Sequence, residues 1–167
     1  MHMVYQCCFF VRHVAIVDGP EIVVPNVVGI RSGTLSKSVS HNVVYVVGEE
    51  AWAHHGFTII HSIQHGRIRN FEAMKRVWEH VFYEKLQIDP EECALIITKP
   101  AIRFEGESER MVSEMFNEFR FKSLLLVVAP LLTMFGNVHT DGIVIDIGEG
   151  LTQVVPIYEE MLCIVVL

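Results

Sequence analysis

No apolar run in this chain is long enough to cross a bilayer. The longest, Leu124 to Leu132, contains Pro130 and falls far short of the roughly 18–20 residues that a spanning helix needs. The N-terminus lacks a basic segment ahead of its apolar stretch, which Arg12 and His13 interrupt, so a secretory leader is not expected. Basic clusters are also missing. The net charge is −7, and no aromatic platform lies between basic residues, which argues against nucleic acid as a partner. Cys7, Cys8, Cys93 and Cys163 show no Cys-x-x-Cys spacing and read as reduced, mostly buried thiols. Of the nine histidines, His54, His55, His61 and His65 invite a metal reading. They form no His-x-x-x-His helical face, and no carboxylate or cysteine joins them at ligand spacing, so no zinc site is expected. The phosphate loop Gly-x-x-x-x-Gly-Lys and the nucleophile elbow of serine hydrolases are absent too.

What is present is greasy. Half the residues are apolar and the mean hydropathy is +0.37, which, without a membrane segment, points to a sheet buried on both faces. The 167 residues suffice for one full domain that buries roughly two thirds of its unfolded surface. Val4–Val17 and Glu21–Val28 read as strands around an Asp18-Gly19-Pro20 turn, and Arg31–Asn42 as a mobile loop rich in Ser, Gly and Lys. Strands at Val43–Val47 and Phe57–Ile60 follow. From Asn70 the period changes: Phe71, Met74, Val77, Trp78, Val81, Phe82 and Leu86 recur at helical steps, with Asn70 as N-cap and Asp89-Pro90 as stop. A buried strand at Cys93–Thr98, a helix at Ser108–Phe119, a strand at Ser123–Val128 and a short helix at Leu131–Phe135 closed by Gly136 complete an alternation that implies a partly parallel sheet covered by helices.

The most informative stretch is Gly142 to Glu159. A β-branched run ends in the carboxylate of Asp146, the Gly148-Glu149-Gly150 turn follows at once, and a second apolar strand leads away. Glycines let backbone amides approach an anion, and an acid at the strand end suits the hydrated magnesium of a nucleotide. A tight β-hairpin uses the same residues for positive φ, so both readings stand at this level.

Read in order, several segments resemble actin and the actin-related proteins. They are Pro25-Asn26-Val27-Val28-Gly29, Tyr45-Val46-Val47-Gly48-Glu49-Glu50-Ala51, His65-Gly66 before Asn70-Phe71-Glu72-Ala73-Met74, Trp78-Glu79-His80-Val81-Phe82-Tyr83, Asp89-Pro90-Glu91-Glu92 and Gly142 to Gly150. The ordered series covers almost the whole chain with about one deletion near Ser62, but only the first half of the family. The resemblance implies an α/β, actin-like ATPase (ribonuclease H-like) fold, truncated to its first half with the small peripheral lobe. In the family, two similar halves enclose Mg-ATP in a cleft. The implied division is 1–25 and 62–141 as large-lobe core, 26–61 as small lobe and 142–167 as the start of the second half. The segment Arg31–Asn42 falls where family members contact a filament neighbour, without similar sequence.

By this resemblance Asp146 stands near the water shell of Mg2+, and Gly148, Glu149, Gly150 and Leu151 face the phosphates of ATP. The first phosphate loop does not match: Val4-Tyr5-Gln6-Cys7-Cys8 has neither its acid nor its glycines, and Arg12 lies one position beyond the expected Lys. Ala129 stands where the family carries the Gln that orients the attacking water, and Gln153 replaces an assisting His. Hydrolysis of this class depends on positioning and charge stabilisation, so these departures predict little or no turnover and no catalytic residues. The expectation is an actin-like cytoskeletal protein with a degenerate ATP-binding cleft, or a non-catalytic actin-related scaffold subunit. Its partners would be other actin-like subunits or actin-binding proteins, with no nucleic acid and no membrane, in the cytoplasm and cytoskeleton or the nucleus. The apolar terminus Met161 to Leu167 is expected to belong to a partial sequence or to a short relative that needs a partner.

Overall fold

The computed structural model describes residues 2–5, 9–13, 22–32, 43–148, 150–158, 161–162 and 165–166. Its main sheet has five strands. β1 (His2–Tyr5), β2 (Phe9–His13) and β3 (Ile22–Val24) form an antiparallel meander. The free edge of β1 takes β9 (Ala94–Lys99) in parallel, and β9 takes β10 (Ser123–Val128) in parallel, giving the order β3-β2-β1-β9-β10. Parallel neighbours need a crossover, and between β9 and β10 it is the helix α3 (Glu107–Asn117). This mixed α/β arrangement agrees with the fold class that the resemblance implies.

Three smaller sheets surround it. β4 (Val27–Ser32) lies between β5 (Val43–Val47) and β6 (Thr58–His61), with the short helix α1 (Glu49–Ala53) packed on them through Ala51. β7 (Ile63–Gln64) and β8 (Arg67–Ile68) make a hairpin. β11 (Gly142–Ile147) pairs with β12 (Thr152–Tyr158), whose other edge takes β13 (Met161–Leu162) and β14 (Val165–Val166). The chain reaches β11 from β10 through α4 (Ala129–Gly136).

The core forms where α2 (Phe71–Glu79) and α3 meet β9. Asn70 caps α2 by accepting from the Ala73 N–H at 3.0 Å, and the helical pattern runs on as a π-helix over His80–Lys85. Met74, Val77, Trp78, Val81 and Phe82 share one face and bury completely against Leu95, Ile97, Met111 and Met115. Phe82 meets Phe119 and Phe121 edge-to-face with centroids 5.2 and 5.0 Å apart, the geometry that the ring quadrupole favours. A second, smaller cluster joins Ala101, Met134, Val155 and Ile157 under the β11–β12 sheet.

Several boundaries differ from expectation for identifiable reasons. Within the span 4–17 the described residues belong to two antiparallel strands, β1 and β2, with no Gly, Pro, Asn or Asp between Tyr5 and Phe9 to signal the break; residues 6–8, 14–17 and Asp18-Gly19-Pro20 lie outside the described residues. The span 21–28 breaks at Pro25, which has no N–H to give a ladder, into β3 and β4. β4 then runs through Ser32, so Arg31 and Ser32 belong to a strand, while 33–42 lies outside the described residues. Gly136 is the last residue of α4, and Asn137 is its cap. The five-residue α1 and the two-residue strands β7 and β8 were too short to show a period. No helix among the described residues is long and apolar enough to cross a membrane.

Candidate functional site

The strands β1, β9 and β10 run parallel, so Tyr5, Lys99 and Val128 end at one edge of the sheet. That edge is where open α/β sheets take ligands. Ala101, just past β9, and Ala129, the first residue of α4, both lie there. The β11–β12 hairpin is tied to the same edge by one side chain. Gln153 is 2% exposed; its Oε1 accepts from the Ala101 N–H at 3.0 Å, and its Nε2 donates to Asp146 Oδ2 at 2.8 Å. Asp146 and Gln153 are register partners on adjacent strands, which is why the two reach each other. Asp146 is itself exposed and so has one carboxylate face oriented by the protein and the rest toward solvent.

The turn between β11 and β12 spans residues 148–151, because Ile147 pairs with Thr152. The Gly148 N–H donates to the Leu151 carbonyl at 2.9 Å, closing the turn internally. Glu149 lies outside the described residues. Gly150 meets the hairpin of β7 and β8: a Cβ there would fall 3.1 Å from the His65 backbone nitrogen, and its carbonyl lies 3.1 Å from His65 Nδ1. Leu151 rests its side chain on Gly66, whose own Cβ would fall 2.6 Å from Leu151 Cδ2. His65 and Gly66 have φ of 51° and 71°, the two left-handed residues of a two-residue hairpin turn. The tip of one hairpin therefore abuts the turn of another.

Of the residues read from sequence, Asp146 lies on β11 two residues before the turn that holds Gly148, Gly150 and Leu151. The structure adds Gln153, which the sequence offered only as a lost histidine, and His65, which carried a resemblance but no assigned role. Position 129 bears only a methyl group. The Gln153 amide bonds at both ends, through one of its two N–H groups and one lone pair of its oxygen, and the side chain is buried. An exposed, oriented carboxylate suits the water shell of a magnesium ion. For a phosphate, the Gly148 amide is already spent on Leu151, which leaves the turn with fewer inward donors than its glycines suggest. Among the described residues no group of three His, Cys, Asp or Glu side chains gathers as a metal site.

Comparison with known proteins gives a consistent result. The family model described as Actin matches residues 15–163. The chain is 31% identical to the actin-related protein 2 of Acanthamoeba castellanii over 143 residues, covering 84% of this chain and 37% of that relative. It is 32% identical to the actin-related protein 2 of Arabidopsis thaliana over 143 residues, with the same coverage. The actin-related protein 2 of Schizosaccharomyces pombe is 30% identical over 146 residues, 85% of this chain and 37% of the relative. The chain thus spans little more than a third of the length of these relatives.

Proposed function

The chain belongs to the actin family, and from that premise we propose that it is a cytoskeletal actin-like protein whose nucleotide cleft is degenerate. The reading assigns residues 1–25 and 62–141 to a large-lobe core, 26–61 to a small lobe and 142–167 to the opening of a second half. Magnesium and ATP would meet the chain at Asp146 and at the turn through Gly148, Glu149, Gly150 and Leu151. Magnesium would supply charge neutralisation for the phosphates; Asp146 would hold its water shell, and Gln153 would hold Asp146.

The observation that carries this reading is the Gln153 bridge. It orients a solvent-facing carboxylate and ties it to Ala101, just past β9, through the amide that stands where the family has its assisting histidine. An oriented carboxylate supports the magnesium part of this reading, and the methyl group at Ala129, which offers nothing to orient a water, supports the expectation of little hydrolysis. Calorimetric titration with Mg-ATP tests the reading: a saturable signal that weakens in Asp146→Ala is expected, with phosphate release near background. No signal at millimolar nucleotide would defeat it.

A second reading, a non-catalytic scaffold subunit of an actin-related assembly, is favoured by one specific observation. Ile143, Ile145 and Ile147 alternate along β11 and are all more than 60% exposed on the sheet face away from the second core cluster. A face of that kind suits association. It predicts oligomer formation without nucleotide, and a monodisperse monomer by light scattering counts against it.

A further inference from the structure

The hairpin of β7 and β8 is held at both ends, and its far end carries a second finding. In a two-residue hairpin the pair next to the turn, Gln64 and Arg67, is the hydrogen-bonded one, and the next pair, Ile63 and Ile68, is not. The ladder resumes at the Arg69 N–H, which donates to the Ser62 carbonyl at 2.8 Å. The Ile68 N–H therefore points away from its partner strand, into the protein. Glu107 Oε1 accepts it at 3.2 Å, and Glu107 Oε2 lies 3.6 Å from Arg67 Nε.

Glu107 is the first residue of α3, where any acid gains from the helix dipole. An exposed glutamate would serve that purpose. This one is 8% exposed, and its Oε2 has no hydrogen bond. Burying a carboxylate costs free energy, so its inward reach calls for an explanation beyond capping. The Ile68 amide provides one: the carboxylate stands in for a missing third strand.

We propose that Glu107 is a positioning residue that clamps the β7–β8 hairpin so that its tip, His65-Gly66, holds the turn at Gly150 and Leu151 in place. The start of α3 and the turn after Asp146 are thereby joined through four residues of hairpin, with no direct contact needed. The consequence for nucleotide binding rests on the reading of the turn given above; the mechanical link itself does not.

Hydrogen–deuterium exchange of the full chain without nucleotide tests the link. In Glu107→Ala, amides of residues 63–69 and of 148–152 are expected to exchange faster together, by about tenfold, while those of α2 and β9 keep their protection. Glu107→Gln retains an oxygen for the Ile68 N–H and should restore both segments to wild-type rates. Glu107→Asp, one methylene short, should fall between and serves if the alanine variant does not fold. Faster exchange confined to 63–69, with the turn unchanged, overturns the proposal. So does a failure of Glu107→Gln to restore the turn. A wild-type chain that binds no Mg-ATP would remove the nucleotide reading and leave this result standing.

Discussion

Replacing Gln153 by alanine should separate the two sheets at their shared edge. Two hydrogen bonds vanish, and their costs differ. The bond to Asp146 is charge-assisted, but Asp146 is exposed and water takes over its oxygen, so the loss lies near the lower end of the usual range, about 1.5 kcal/mol. Ala101 is 5% exposed, and its N–H would be left buried without an acceptor, at about 1–3 kcal/mol. The total is about 3 kcal/mol, a large part of the 5–15 kcal/mol by which a domain is usually stable. For a chain of this length that lowers Tm by about 6–12 °C.

Gln153→Glu sharpens the test because it keeps shape and volume. One carboxylate oxygen still accepts from Ala101, and the other now faces Asp146 Oδ2 where an amide donated. Two carboxylates at that separation share one proton, so a folded-state pKa of the pair rises above its unfolded value. The repulsion is present at neutral pH and disappears as pH falls and the shared proton binds. Thermal melts followed by circular dichroism should therefore show Gln153→Glu recovering toward wild type on acidification, while Gln153→Ala does not recover. A Gln153→Ala melt within about one degree of wild type, with Gln153→Glu parallel to wild type across pH, would refute the bridge.

Burial raises the pKa of Glu107, against the opposing pull of the Ile68 N–H, Arg67 and Arg69. A carboxyl with a raised folded pKa costs stability as pH climbs from its unfolded value through the raised one, so Glu107→Gln should melt higher than wild type at neutral pH and match it in acid; equal melts at every pH would contradict this. Gly66→Ala meets both a positive φ and Leu151 Cδ2, and should cost about 1–3 kcal/mol. Leu151→Ala should relieve part of that cost, which a double-mutant cycle by urea denaturation would read as a coupling of at least about 0.5 kcal/mol. Trp78 is fully buried, and its indole N–H has no partner. Trp78→Phe removes an unsatisfied donor and should be milder than the about 3–5 kcal/mol expected of Trp78→Ala, again measured by denaturant unfolding.

The long periodic elements were legible because side-chain burial leaves a period in the sequence. The face Met74-Val77-Trp78-Val81-Phe82 is the clearest case, and Asn70 announced its cap. β10, β11 and β12 were legible as β-branched or aliphatic runs between turn residues. Failures occurred where a decisive force acts across space. β1 and β2 are antiparallel with no Gly, Pro, Asn or Asp between them in sequence, and β7 and β8 are two residues each. The placement of Asp146 near a strand end, followed by a turn, was readable from local chemistry. Gln153 looked like a bare loss because its partners, Ala101 and Asp146, are brought to it by the fold. Glu107 lies just before the helix expected at Ser108–Phe119 and drew no reading, because its partner, the Ile68 N–H, is likewise brought to it by the fold.

The glycines of the turn show how a motif and a packing requirement converge on one residue type. A Cβ on Gly150 would stand 3.1 Å from the His65 backbone nitrogen and one on Gly148 3.2 Å from the Leu151 carbonyl, both tight approaches to backbone atoms. Packing alone therefore favours glycine at both positions, with or without a nucleotide. Their presence does not discriminate between a phosphate-facing turn and a plain hairpin, and the Gly148 N–H, bonded within the turn, does not either. What packing does not explain is the carboxylate. A hydrophobic residue at 146 would continue the alternation of β11 toward the second cluster at no desolvation cost, yet an acid is there, and a buried amide is spent on orienting it. Asp146→Asn keeps the shape and a carbonyl oxygen for the Gln153 amide while removing the charge. If stability alone selected Asp146, the variant should lose about 1 kcal/mol and nothing else. If the acid serves a magnesium shell, titration with Mg-ATP should weaken at least about tenfold in a variant whose melt is close to wild type.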